Sequence, residues 1–209
     1  MSGTPSQITL RRRPLVRQLL IDADDDLLVI AGLGSPNWDI TEAGDRPLNM
    51  PLWGAMGAPV AMGLGLALAQ PAKRVLVITG DGDMLMSLGS LATVATQQPE
   101  NLAIVVLDNE KFGETGNQAT HTSPRNNGPT DSGAGADLSM IARGCGIADS
   151  ATVREPGHVA QFVKDVRSKK GPIFRVAKVM VEKLEFVMPP QDGAYLKDWF
   201  RRALLGPES

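Results

Sequence analysis

Two short apolar runs end in residues able to hold a metal ion. The run at 75–79 stops at Gly80-Asp81-Gly82-Asp83, and the run at 102–107 stops at Asp108-Asn109. Apolar runs of this length, bounded by turn residues, read as buried strands. Asp81 then offers a carboxylate just beyond one strand, and Asn109 an amide oxygen just beyond the next. Both are hard oxygen donors, which magnesium takes together with phosphate oxygens in a near-octahedral shell. Gly80 and Gly82 allow close approach of a ligand to the backbone. The N–H groups around Gly82 and Asp83, at the start of the following helix, can hold a diphosphate. The chemistry is that of a magnesium-bridged diphosphate.

Asp81 and Asn109 are 28 positions apart, room for a crossover helix and a second strand. Residues 85–97 carry Leu88, Leu91 and Val94 three apart, with Ala92 and Ala95 on the same side, and read as that helix. Two nearly all-apolar strands joined this way imply a parallel sheet covered on both faces. The C-terminal edge of such a sheet is where ligands sit. The remaining elements fit the same plan. Helices are expected over 11–23, 54–70, 137–143 and 157–169, and strands over 27–30, 151–154 and 173–179. Gly63 and Gly65 cost the second of these helices about 1 kcal/mol each relative to alanine; close packing against a large neighbour would account for them. Residues 31–35 form a ligand-side loop. Residues 35–53 read as irregular, and the polar stretch 111–135 as an active-site lid or a disordered segment. The fold class is α/β, an open, mostly parallel sheet with helices on both faces. Residues 1–209 read as a single domain with a flexible tail at 1–9. A C-terminal extension at 181–209 contains a helix near 194–205 that docks on this or another subunit.

Hydrophobic residues make up 43% of the chain, enough for a sizeable core, and the formal net charge of -2 gives no broad attraction to nucleic acid or acidic lipid. The single cysteine, Cys145, excludes a disulfide within the chain and a cysteine-built metal cluster. No apolar run of signal-peptide type follows the polar first residues, and the apolar segment 55–69 is too short and glycine-rich to span a bilayer. A cytoplasmic protein is the expectation.

Gly80-Asp81-Gly82, 26 further residues and then Asn109 resemble the cofactor-anchoring motif of thiamine diphosphate enzymes. The resemblance implies that Asp81 and Asn109 ligate Mg2+, with the backbone carbonyl of Lys111 as the third protein ligand. Asp108 stands where many relatives have asparagine. Upstream, Gly54-Ala55-Met56-Gly57 is similar to the segment that supports the bent cofactor. By that likeness Met56 stands between the two cofactor rings, and the carbonyl of Gly54 accepts a hydrogen bond from the aminopyrimidine. The nearest family is that of sulfopyruvate decarboxylase β subunits and the equivalent part of phosphonopyruvate decarboxylases. The likeness runs over 28–179 and includes Thr115-Gly116, Gln118 and Thr120-His121-Thr122.

The resemblance implies a thiamine diphosphate-binding fold and a chain that is the pyrophosphate-binding half of a decarboxylase for a small 2-oxo acid. The glutamate that activates the cofactor then comes from a separate pyrimidine-binding subunit. A heterodimer-based higher oligomer, inactive as the single chain, is expected. Two other readings share the site: the β subunit of a 2-oxo acid:ferredoxin oxidoreductase, and an acetolactate synthase-like carboligase. The first lacks the amino-terminal cysteine pair of many such subunits.

Other polar residues have two readings each. His121 is a candidate proton shuttle or a solvated loop histidine. Glu110 and Glu114 suit acid–base work, though neither is the activating glutamate. Asp108 ligates or orients the site, or terminates its strand. Arg125, with Asn126 and Asn127, meets an anionic substrate tail or water. His158 and Cys145 read as structural, and Arg11 to Arg13 as a solvated helix start or a partner contact.

Overall fold

The structure, a computed structural model, describes residues 8–124 and 135–207. Helix α1 (Arg12–Leu20) leads to β1 (Leu27–Ala31), α2 (Ser35–Ala43), β2 (Asn49–Pro51), α3 (Pro59–Ala69) and β3 (Arg74–Gly80). Helices α4 (Asp81–Leu85) and α5 (Gly89–Gln97) cross to β4 (Leu102–Asp108), and β5 (Lys111–Phe112) pairs with β6 (Gln118–Ala119) in a hairpin. Then come α6 (Leu138–Gly144), β7 (Asp149–Val153), α7 (Val159–Ser168), β8 (Ile173–Lys178) and α8 (Gly193–Leu205).

Six strands form one parallel sheet in the order β2-β1-β3-β4-β8-β7. Alternate residues of each central strand serve opposite faces. Leu28, Val77 and Ile104 share one core cluster with residues of α3, α5 and α6. Val29, Leu76 and Val105 share the other with residues of α1, α2 and α7. Because both faces are covered, β1 and the interiors of β3 and β4 are almost wholly apolar. Gly63 is explained by this packing: a Cβ there would lie 2.2 Å from Val77 Cγ2, whereas one at Gly65 would meet nothing within 4 Å.

Three stretches depart from the expected layout. The stretch 35–53 is not irregular; it holds α2 and the edge strand β2. The inward side of α2 is partly polar, which hides its helical period. Asn37 and Asp39 are both fully buried, Asn37 donating to the Leu52 carbonyl and Asp39 accepting from Arg12 and Arg13. The crossover expected as one helix over 85–97 is two, separated by a turn at 86–88. Within 111–135, residues 111–119 form the hairpin and a short 3-10 turn. Arg125, Asn126 and Asn127 lie outside the described residues.

The C-terminal extension docks on its own chain. Phe200 and Leu204 of α8 pack on the first core cluster, and Asp192 caps the helix. Trp53 Nε1 donates to the Pro190 carbonyl at 2.9 Å, and the Phe186 ring meets Trp38 edge-on at 4.3 Å. Of the tail expected over 1–9, residues 1–7 lie outside the described part. Leu10 is already buried and bridges Val179.

Candidate active site

In the sheet order, β2 lies on one side of β1 and β3 on the other. Where connections leave to opposite sides like this, a crevice opens beyond the C-terminal ends of the strands. A solvent-open cavity of about 750 Å³ lies there, its walls formed by the loop after β1, the Gly80–Asp83 tip of β3, Asn109 and Lys111 beyond β4, and Met56.

Asp81 is the most constrained of these groups, with 2% of its surface exposed. Its Oδ2 accepts from the Thr120 hydroxyl. Thr122 Oγ1 is 3.1 Å from that same oxygen and 2.8 Å from Asp108 Oδ1, so its single hydrogen serves one carboxylate at a time. Burial pushes the Asp81 carboxyl up to about 6, and the nearby charge of Asp108 adds to the rise. Its partners among the described residues are hydroxyls and backbone, with no cation facing it. A buried carboxylate left in this state fits a divalent ion, which would supply the missing positive charge.

Asp108 is placed by a different cation. Lys178, the last residue of β8, puts its Nζ 2.7 Å from Asp108 Oδ2 and 2.8 Å from Glu110 Oε1. Asp108 is therefore held by Lys178, and it competes with Asp81 for the Thr122 hydroxyl hydrogen. Beyond it, Asp108 Oδ1 accepts from the Glu110 N–H at 3.1 Å and Asn109 Oδ1 from the Lys111 N–H at 3.0 Å. These overlapping side-chain turns fix the chain that carries Asn109 and Lys111 past the cavity. No cluster of three or more His, Cys, Asp or Glu side chains suited to a metal occurs among the described residues. An ion here would therefore combine Asp81 with the Asn109 amide, a backbone carbonyl and the ligand's own oxygens.

Asp83 is structural in its side chain. Its carboxylate accepts from the Gly57 N–H and, at 2.6 Å, from the Thr79 hydroxyl. It thus ties the turn that carries Met56 to the tip of β3. Gly54 and Gly57 take positive φ, +68° and +86°, which makes that turn possible. Gly82 is close against Phe112, whose ring a Cβ would meet at 2.5 Å. Gly54 is exposed and does not line the cavity, and neither does His121, whose side chain is exposed between two buried threonines. Glu114 lines the cavity; Glu110 does not.

Several contributors escape sequence reasoning. Thr120 and Thr122 act through partners distant in the chain, and Thr120 stands 39 residues from Asp81. Lys178 carried one usable signal, a lysine at the C-terminal end of a mostly apolar strand. Gly32 has its own role: a Cβ there would lie 2.0 Å from Asp83 Oδ2 and 2.9 Å from Thr79 Oγ1. Gly32→Ala is therefore expected to displace Asp83 from the Met56 turn, costing about 1–3 kcal/mol of stability. A thermal melt of the variant beside the parent checks this.

Residues 36–176 match the family model described as the C-terminal TPP binding domain of thiamine pyrophosphate enzymes. The chain is 36% identical over 158 residues to a sulfopyruvate decarboxylase subunit beta of Methanocaldococcus jannaschii, covering 76% of each chain. It is 37% identical over 131 residues to a phosphonopyruvate decarboxylase of Streptomyces viridochromogenes, covering 63% of this chain and 30% of that protein. Among solved structures, benzoylformate decarboxylase from Polynucleobacter necessarius superposes with a TM-score of 0.64 at 17% identity, over 90% of this chain and 36% of that one. The last match supports the fold alone.

Proposed function

We infer the function from one premise: the chain belongs to the thiamine pyrophosphate enzymes, as their C-terminal TPP-binding domain. It is a subunit of a thiamine diphosphate-dependent decarboxylase that acts on a 2-oxo acid. The observation that carries this is the meeting of Asp81, Asn109 and Lys111 at one cavity with Met56. The relatives named above, for sulfopyruvate and phosphonopyruvate, support the reaction type.

In this reading Asp81, Asn109 and the Lys111 carbonyl hold Mg2+ against the diphosphate, while backbone N–H groups at Gly82 and Asp83 take phosphate oxygens. Thr120 holds the Asp81 carboxylate in place, and Lys178 and Thr122 do the same for Asp108. Gly54 and Met56 support the cofactor rings, their turn held by Asp83. Bound thiamine diphosphate supplies an electron sink for the pair left behind as carbon dioxide departs. His121, exposed at the edge of this region, is a candidate proton donor in the assembled enzyme.

The subunit works with a separate pyrimidine-binding subunit in a heterodimer-based oligomer; the beta-subunit name of the methanococcal relative supports this. We place it in the cytoplasm. Among the described residues no helix is long and apolar enough to cross a membrane.

The test is a screen of 2-oxo acids with the assembled complex, cofactor and Mg2+, without an electron acceptor. Carbon dioxide and the matching aldehyde are expected. Turnover that appears only when an acceptor is added would instead mark a ferredoxin-linked oxidoreductase, and a condensed hydroxyketone product would mark a carboligase.

A further inference from the structure

The first turn of α1 brings a cation to the cavity that the reading above leaves unused. Arg12 lines the cavity beside Gly34 and Ser35, and only 4% of its surface is exposed. Its Nη1 donates to Asp39 Oδ2 at 2.6 Å and lies 3.5 Å from the Ser35 carbonyl. Asp39 is fully buried and already has a second cation, since Arg13 Nε donates to its other oxygen at 3.0 Å. Arg13 does not line the cavity, and its Nη2 is engaged by the Glu185 carbonyl at 2.8 Å.

Two guanidinium groups on one carboxylate leave a net positive charge, and Arg12 is the one at the cavity wall. One carboxylate needs only one such partner, so Arg13 alone would account for the burial of Asp39. The remaining N–H groups of Arg12 form a planar fork of the kind that grips phosphate oxygens. Its desolvation is already offset by Asp39, so a ligand meets a guanidinium whose orientation is fixed. Lys178, the other buried lysine or arginine at this edge of the sheet, is committed to Asp108 and Glu110. A magnesium-bound diphosphate still carries negative charge, and Arg12 is placed to neutralise it.

We propose that Arg12 binds the cofactor's diphosphate, holding a phosphate oxygen from the wall formed by α1 and the loop after β1. This rests on the reading of the cavity as a diphosphate site.

The experiment is calorimetric titration of the 209-residue chain with Mg2+ and inorganic pyrophosphate, and separately with Mg2+ and thiamine diphosphate. Arg12→Gln should weaken both ligands roughly 10- to 100-fold, the usual worth of a charge-assisted hydrogen bond. Arg13→Gln removes the other partner of the same carboxylate and should stay within about threefold of the parent. Circular dichroism and a thermal melt establish folding. If Arg12→Gln does not fold, Arg12→Lys, which keeps the charge against Asp39 but loses the fork, carries the test with an expected loss of roughly 3- to 10-fold. Unchanged affinity in the folded Arg12 variant, or an equal loss in Arg13→Gln, would overturn the proposal. A parent chain that binds neither ligand would overturn the diphosphate reading itself, and this proposal with it.

Discussion

Asp81→Asn is expected to abolish turnover and to weaken binding of Mg2+ with thiamine diphosphate by at least roughly a hundredfold. Loss of a residue behind a metal ligand typically costs 10- to 100-fold, and Asp81 is proposed as a ligand itself. The substitution keeps the shape of the side chain and its contacts with Thr120 and Thr122. The charge goes, and one acceptor oxygen becomes an N–H2 donor. The sign of the accompanying stability change distinguishes this from general damage. Burial raises the Asp81 carboxyl from 3.8 to about 6, so at pH 7 the folded chain holds an ionised group in a place that favours the proton. A carboxyl raised on folding adds stability only as the pH falls through its folded value. At pH 7 the neutral amide should therefore leave the metal-free chain at least as stable as the parent. Titration calorimetry measures the affinity, and a thermal melt the stability. A variant that binds normally, or one that loses binding only because it unfolds, would contradict this account.

The second large effect concerns the partner. The cavity of this chain is lined by Asp81, Asn109, Lys111 and Met56, which the proposed reading assigns to the diphosphate end and the rings. In the proposed reading, the glutamate that activates the cofactor comes from the other subunit. The purified chain, given cofactor, Mg2+ and a 2-oxo acid that the complex consumes, is expected to release no carbon dioxide above the enzyme-free rate. Mixing with the pyrimidine-binding subunit should restore full activity. The carbon dioxide rate as a function of added partner checks this, and full activity from the chain alone would refute it. Glu114 makes the comparison informative, because it is a glutamate of this chain that lines the cavity.

The parts of this molecule that could be read from the chain are those where side-chain type and local geometry agree. The strands ending at Gly80 and Asp108 are apolar on both faces, and glycine, aspartate and asparagine mark their ends, so the sheet and its ligand edge follow directly. Helix α2 was hidden because its buried residues include Asn37 and Asp39, polar groups that need partners from α1 and the segment after β2. The break between α4 and α5 was hidden for the opposite reason. Apolar residues at 84, 85, 88 and 91 continue a helical period straight through it, and no proline marks the turn. The wiring of the site is long-range: Thr120 and Thr122 reach Asp81, and Lys178 reaches Asp108 and Glu110. None of these pairs shares a local motif, so only the folded chain brings them together.

The central claim is that the carboxylate at the tip of β3 holds a metal that in turn holds the cofactor's diphosphate. The most direct measurement is electron–nuclear double resonance of the complex loaded with Mn2+ in place of Mg2+ and with thiamine diphosphate. The account predicts a phosphorus-31 coupling to the Mn2+ in the parent and its loss in Asp81→Asn. Cofactor bound to the parent without that coupling, or a coupling that persists unchanged in the variant, would contradict it.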